Sequence, residues 1–157
     1  MRVHVCAVGR IRADQPERAL FEDYHMRFNR TGKPLALGPM TEIEVEDKKG
    51  GGMEAEAELL SRAVPSGALL VTMDERGKTL SSPEFAAELA KWRDSGRQDV
   101  AFVIGGADGI APSLRARADV AISFGRMVWP HMLVRVMLAE QLYRAATILS
   151  GGPYHRA

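Results

Sequence analysis

Residues 122–144, ISFGRMVWPHMLVRVMLAEQLYR, join the end of a short apolar run, a loop without periodicity and a long helical pattern. Pro130 or His131 opens the helix, since the N–H that proline lacks would have no partner in the first turn. The pattern then runs unbroken to about Leu149. At roughly 100° per residue, His131, Leu138, Ala139, Leu142, Ala146 and Leu149 share one side, while Glu140, Gln141, Arg144 and Thr147 share the other. Arg135 falls among the apolar residues, with His131 one turn earlier on the same face. Arginine is rarely buried without a partner. Four readings are open: snorkelling to water, a carboxylate of the core, a subunit interface, or a cleft that receives an anion.

Elements upstream of this stretch alternate. Arg2–Val8 reads as a strand ended by Gly9. Gln15–Arg30 reads as a helix with Asp14 as N-cap, Pro16 in its first turn and Gly32 beyond its end; Leu20, Tyr24 and Phe28 are expected to face the core. Thr41–Glu46, TEIEVE, alternates strictly, which predicts a strand at or near a sheet edge with its acidic face in water. After the flexible loop DKKGGG, a helix over Glu54–Ala63 stops at Pro65 and Gly67. Ala68–Met73, ALLVTM, reads as a strand buried on both faces of a parallel sheet, ending in the polar loop DERGK. Ser82, Pro83 and Glu84 start a helix to about Asp94. Asp99–Ile104 is a second buried strand, Pro112–Ala118 a short helix and Val120–Phe124 the last strand. The tail SGGPYHRA has no periodicity. Five alternations of strand and helix predict one α/β domain over residues 1–157, a mostly parallel sheet with helices on both faces.

Bulk properties narrow the class. At 157 residues, 46% hydrophobic and 26% charged, the chain has the composition of a soluble globular domain with a core able to stand alone. No apolar run approaches the roughly 18 residues that span a bilayer, so no membrane partner is expected. The start MRVHVCAVGR is too short and too charged for a secretory signal. A single cysteine, Cys6, allows no internal disulfide and reads as a small core residue, which suits the cytoplasm. Net charge is +1, yet residues 122–157 hold four arginines (Arg126, Arg135, Arg144, Arg156) against one acid, Glu140, a modest excess compatible with a phosphate-bearing partner.

Ligands of open α/β sheets sit outside the carboxyl ends of the strands. Three such ends carry unusual residues: Met73-Asp74-Glu75, Gly105-Gly106-Ala107-Asp108-Gly109 and Phe124-Gly125-Arg126. The glycine spacing is not GxGxxG, and neither GxxxxGK[ST] nor GxSxG occurs. His4, His25, His131 and His155 lack the local spacing of a zinc site, so no metal is expected. What remains is a pocket of glycine turns and apolar walls, suited to an adenosine-bearing cofactor held by main-chain groups. Met127, Trp129 and Met132 lie beside it and read as packing.

Several of these residues together carry a family resemblance. Val8-Gly9, the run Phe102–Gly109 (FVIGGADG), the run Pro130–Val136 (PHMLVRV), Glu140–Ala145 (EQLYRA) and the terminal Pro153-Tyr154-His155-Arg156 resemble the bacterial ribosomal RNA large-subunit methyltransferase H family, within the SPOUT class of RNA methyltransferases. The resemblance spans essentially the whole chain. It implies an S-adenosylmethionine-dependent enzyme that methylates N3 of a pseudouridine in a stem-loop of large-subunit ribosomal RNA. It further implies a homodimer acting on assembled ribosomes, with a C-terminal segment threaded into a trefoil knot. By that resemblance the cofactor sits on Met73, Gly105 and the loop Phe124, Gly125, Arg126, Met127, Val128 and Trp129. The tail Tyr154-His155-Arg156 reaches the RNA or the reacting base, with Tyr154 or His155 as candidate acceptor of the N3 proton. Arg135 then reads as a residue of a composite active site that, with Arg156, binds phosphate or steadies charge on the base.

Overall fold

The computed structural model describes residues 1–156. Five strands, β1 (Arg2–Val8), β2 (Met40–Val45), β3 (Leu69–Thr79), β4 (Asp99–Ile104) and β5 (Val120–Ser123), form one parallel sheet in the order β2-β1-β4-β3-β5. Between them lie α1 (Pro16–Gly32), α2 (Gly52–Ala63), α3 (Ser82–Asp94) and α4 (Pro112–Arg117), and α5 (His131–Ser150) follows β5. The expected α/β architecture is therefore present, with β2 at the expected edge.

Side chains alternate across the strands and divide the core in two. Val3, Val5 and Ala7 of β1 with Val100, Phe102 and Ile104 of β4 face α1, α3 and α5. Cys6 and Val8 with Ala101 and Val103 face α2 and α4 on the opposite side. The two crossovers on α1 and α3 step one way across the sheet, and those on α2 and α4 step the other way. One handedness satisfies all four, the regularity expected of parallel βαβ units. Helix α5 then lies against both α1 and α3, with Gly151 closing it in the left-handed region at φ 76°.

Four local expectations are corrected. The acidic face of TEIEVE is only partly in water: Glu46 is exposed, but Glu42 and Glu44 lie under α1 and α5, paired with Arg18 and Arg135. The polar DERGK segment is not a plain loop. Strand β3 continues through it to Thr79, and both Met73 and Lys78 pair with Ile122 across a bulge. Gly77 makes this possible, because a Cβ there would come 2.5 Å from the Ala121 carbonyl carbon. In α1 the inner stripe is Arg18, Phe21, His25 and Phe28, with Phe21 and Phe28 fully buried, whereas Leu20 is 47% exposed. Two polar members hide that stripe in the sequence; both find partners on β2, His25 Nε2 meeting the Met40 carbonyl at 2.6 Å. Finally, α1 is capped by Gln15 rather than Asp14, without a side-chain bond, and α3 by Ser81, whose hydroxyl and Glu84 form a capping box.

Candidate active site

All five strands point their carboxyl ends the same way, so the loops that follow them share one rim. A cavity of about 380 Å³ opens there, at the ends of β3, β4 and β5. It is the size of small-molecule sites in general. Met73, the turn Gly105–Gly109, Phe124, Gly125, Met127, Val128 and Trp129 line it, together with His131 and Val134 from the first turn of α5. Seven of the eight residues expected to hold a cofactor are thus gathered around one space; Arg126 is exposed and outside the lining.

Backbone geometry explains the glycines. A Cβ on Gly105 would lie 2.5 Å from the Gly109 carbonyl oxygen, so only glycine lets the 105–109 turn close on itself. Gly109 N–H donates to the Gly106 carbonyl at 3.0 Å, which pins the turn. On the facing loop, Gly125 N–H donates to Ser123 Oγ at 3.0 Å, and Gly125 has a φ of 108°. Beyond it Met127 and Val128 are 74% and 82% exposed, an apolar flap at the mouth. The walls mix apolar side chains with the main-chain groups of the two glycine turns. Asp74, Glu75, Arg76, Asp108 and His131 add side-chain polarity at the rim. Burial and the nearby Arg135 charge hold the His131 imidazole below its ordinary pKa, which favours the neutral ring. This donor set fits an adenosine-bearing ligand: flat apolar walls for a base, main-chain groups for its edges, and carboxylates for hydroxyls or a cationic tail.

The residues expected to be catalytic lie elsewhere. Arg135 does not reach the cavity. It is fully buried and turned toward β2, where Nη1 donates to Glu42 at 2.9 Å and Glu44 at 2.6 Å. Nη2 donates to the carbonyls of Val8 at 3.3 Å and Gly9 at 2.9 Å. The core-carboxylate reading of the four is the one found. An anion could reach this guanidinium only by displacing both carboxylates, so the expectation that Arg135 itself binds phosphate or the base is corrected.

Tyr154 and His155 fold back on the middle of α5. The Tyr154 ring packs on Tyr143, with centroids 4.6 Å apart, and beneath the Arg144 guanidinium at 4.7 Å. Its hydroxyl donates to Glu140 Oε1 at 3.1 Å. Burial and the Glu140 charge push the Tyr154 phenol up to about 12, so within this chain it is a proton donor rather than an acceptor. Arg144 Nη1 faces His155 Nδ1 at 3.3 Å, and Arg156 is exposed. Glu140 follows His131 by nine residues, about 13 Å along a helix axis. Among the described residues, none of the tail lines the cavity of its own chain.

A second, larger hollow of about 590 Å³ adjoins the first, sharing Met73, Ile122, Phe124 and Gly125. Leu20 and Tyr24 of α1, Phe85 of α3 and Val136, Met137 and Leu138 of α5 make it apolar. The sequence reading missed it because its walls come from three separate helices. It also missed Glu42 and Glu44 as partners of Arg135, although strict alternation of acids on an edge strand was the available signal. Among the described residues, no helix is long and apolar enough to cross a membrane, and no three metal-ligating side chains cluster.

The family model described as predicted SPOUT methyltransferase matches residues 1–155. The chain is 70% identical over 156 residues to ribosomal RNA large subunit methyltransferase H of Ruegeria sp. (strain TM1040), covering 99% of each. It is 71% identical, with the same coverage, to the protein of that name from Cereibacter sphaeroides (strain ATCC 17023). Among solved structures, that of a probable methylase family protein from Haemophilus influenzae Rd KW20 aligns with a TM-score of 0.55 at 10% identity. That alignment covers 99% of this chain and 70% of the other, a likeness of fold alone. Family model, full-length relatives and parallel sheet agree: the chain belongs to the SPOUT methyltransferase family, with ribosomal RNA large subunit methyltransferase H among its relatives.

Proposed function

We propose that this chain is a cytoplasmic S-adenosylmethionine-dependent methyltransferase of large-subunit ribosomal RNA, acting at N3 of a pseudouridine in a stem-loop of the assembled ribosome. The observation that carries the reading is the cavity bounded by Met73, the Gly105–Gly109 turn and the Phe124–Trp129 loop. Full-length identity of about 70% to relatives named for this class of enzyme supports the RNA substrate.

When bound, S-adenosylmethionine supplies an electrophilic methyl group. The chain's own residues do the rest. Main-chain groups of residues 105–109 and 124–125 would hold the polar edges of the cofactor. Met73, Phe124 and Val134 exclude water from one side, and the neutral His131 adds no positive charge beside a cationic ligand. N3 must lose its proton, to His155 or to water, as it takes the methyl group from sulfur, so a nearby cation lowers the barrier by steadying charge on the base. Arg156, exposed at the end of the tail, is free for that task.

The tail lies about 13 Å along α5 from the cavity of its own chain, which favours a homodimer in which each tail serves the partner's cavity. The apolar hollow between α1 and α5, with Leu20 exposed in its wall, is the face a second copy would cover. The trefoil knot of the family belongs to the same reading: the chain passes from the edge strand β5, along the cavity rim, to α5 beside β1.

Transfer of labelled methyl from S-adenosylmethionine tests the reading, offering ribosomes from cells lacking this protein, free large subunits and bulk transfer RNA. Label in large-subunit RNA only with intact ribosomes is the expected result. Label in transfer RNA would keep the chemistry and change the substrate, and no label with any acceptor would overturn the enzyme reading.

A further inference from the structure

Arg135 is the largest side chain in the protein with no access to water. Its surroundings form a closed, charge-balanced cluster of two guanidiniums and two carboxylates. Arg18 donates to Glu42 at 2.7 Å and to Glu44 at 3.1 Å, and Arg135 donates to the same two acids. A buried ion cluster is a poor source of net stability, because desolvation offsets much of the attraction. What it supplies here is direction.

Every outward hydrogen bond of the cluster falls on the last residue of β1 or on the connection from β1 to α1. Arg135 Nη2 takes the carbonyls of Val8 and Gly9, Arg18 Nε donates to the Ile11 carbonyl at 3.0 Å, and Glu44 accepts from the Ile11 N–H at 2.8 Å. That connection in turn carries the cavity wall. A Cβ on Gly9 would meet His131 Nε2 at 3.3 Å, so the imidazole rests directly on the Gly9 backbone. His131 and Val134, four residues and one residue before Arg135, both line the cavity. Gln15, at the end of the same connection, reaches Met132 Sδ at 3.7 Å.

We infer that Arg135 is a positioning residue for the cofactor cavity, clamping the first turn of α5 to the Val8–Ile11 backbone so that His131 and Val134 stand at a fixed height in its wall. Only a planar fork serves both directions at once, carboxylates from one nitrogen and carbonyls from the other. Lysine could keep the charge but not both sets of contacts. This inference rests on the proposal that the cavity holds S-adenosylmethionine, and it assigns Arg135 no contact with cofactor or base.

The test compares S-adenosylmethionine affinity by calorimetry for the wild type, Arg135→Lys and Leu60→Ala. The last of these is a core variant under the opposite face of the sheet that loosens the fold without touching the clamp. Native folding of each is checked by circular dichroism and thermal unfolding. Arg135→Lys should weaken affinity by about tenfold or more, while folded Leu60→Ala stays within about twofold of the wild type. In turnover assays the loss should appear in KM for the cofactor, with kcat recovering at saturation. Equal affinity of folded Arg135→Lys and wild type would overturn the inference, as would an equal loss in Leu60→Ala. If Arg135→Lys does not fold, Gly9→Ala, which crowds His131 Nε2 at 3.3 Å and strains a backbone held at φ 94°, disturbs the same contact while leaving every charge in place, and unchanged affinity there would equally overturn it. A wild type that binds no S-adenosylmethionine would instead bring down the underlying functional reading.

Discussion

The Tyr154 hydroxyl donates to the same Glu140 oxygen that Arg144 holds at 2.8 Å, so one carboxylate fastens the tail to α5. The phenol, pushed up to about 12 by burial first and this carboxylate second, keeps its proton longer in the folded chain than in the unfolded one. Between its ordinary value near 10 and that value, the folded state therefore binds more protons, and stability falls as pH rises through the window. Glu140→Gln should move the phenol's titration back toward the ordinary value. Ultraviolet absorbance titration of the variant against the wild type reads this directly, and superimposable curves would refute the account.

Removing residues 154–157 should abolish methyl transfer while leaving cofactor affinity within about twofold. The reason is positional: among the described residues none of the tail lines the cavity bounded by Met73, Gly105 and Phe124 in its own chain, and Tyr154 packs on Tyr143 of α5. Thermal unfolding should shift by a few degrees at most. A truncated protein that methylates ribosomes normally would show that the tail has no part in the reaction.

Gly105→Ala brings a methyl group to within 2.5 Å of a backbone oxygen, a contact that no side-chain rotation relieves. The Gly105–Gly109 turn must open, and with it the cavity floor. Affinity for S-adenosylmethionine should fall by about a hundredfold, as expected for roughly 1 Å of misplacement. Calorimetry with full affinity retained would separate the turn from the binding site.

At the opposite end of the sheet, Asp99 accepts two bonds from Arg2, at 2.8 and 2.9 Å, and meets His4 Nε2 at 2.7 Å. These bonds hold the Asp99 carboxyl below the usual carboxylate range, Arg2 contributing most. The stability they add is present above the unfolded carboxyl's value and is lost as pH falls through the lower folded value. Asp99→Asn should cost about 1–3 kcal/mol near neutrality, and the difference from the wild type should shrink in acid. Denaturant unfolding at neutral and acid pH measures both. Methyl transfer should be unaffected, because this cluster lies at the amino ends of β1 and β4.

Cys6 is buried without access to water, and burial pushes its thiol up to about 12. Thiol reagents should label it only after global unfolding, since the thiolate is the reactive form. Rapid labelling of the native protein would show that the core around β1 opens locally.

Fold class was legible because it rests on local patterns. Buried runs such as ALLVTM and DVAFVI are too apolar for any but a two-sided parallel sheet, and each helix between them starts or stops at a proline or glycine. Errors arose where a polar residue was used inside the protein. Glu42 and Glu44 on TEIEVE, and Arg18 and His25 on α1, read as surface residues by type, yet each is satisfied by a partner on another element. A rule that assigns polar residues to water has no means of counting partners fifteen or more positions away.

The glycine turns and the strand end Phe124-Gly125-Arg126 announced a cavity at the strand ends, because in parallel sheets that location follows from strand direction alone, while the loop onward to Trp129 was read from the family resemblance. The sequence by itself thus determined the sheet, its two-sided covering and the residues gathered at its carboxyl rim, all consequences of periodicity and turn chemistry within a few residues. Only the tertiary structure decided what Arg135 and Tyr154 do. Their roles depend on which carboxylate stands within hydrogen-bond reach, and that is set by the packing of α5 over β1, β2 and its own tail.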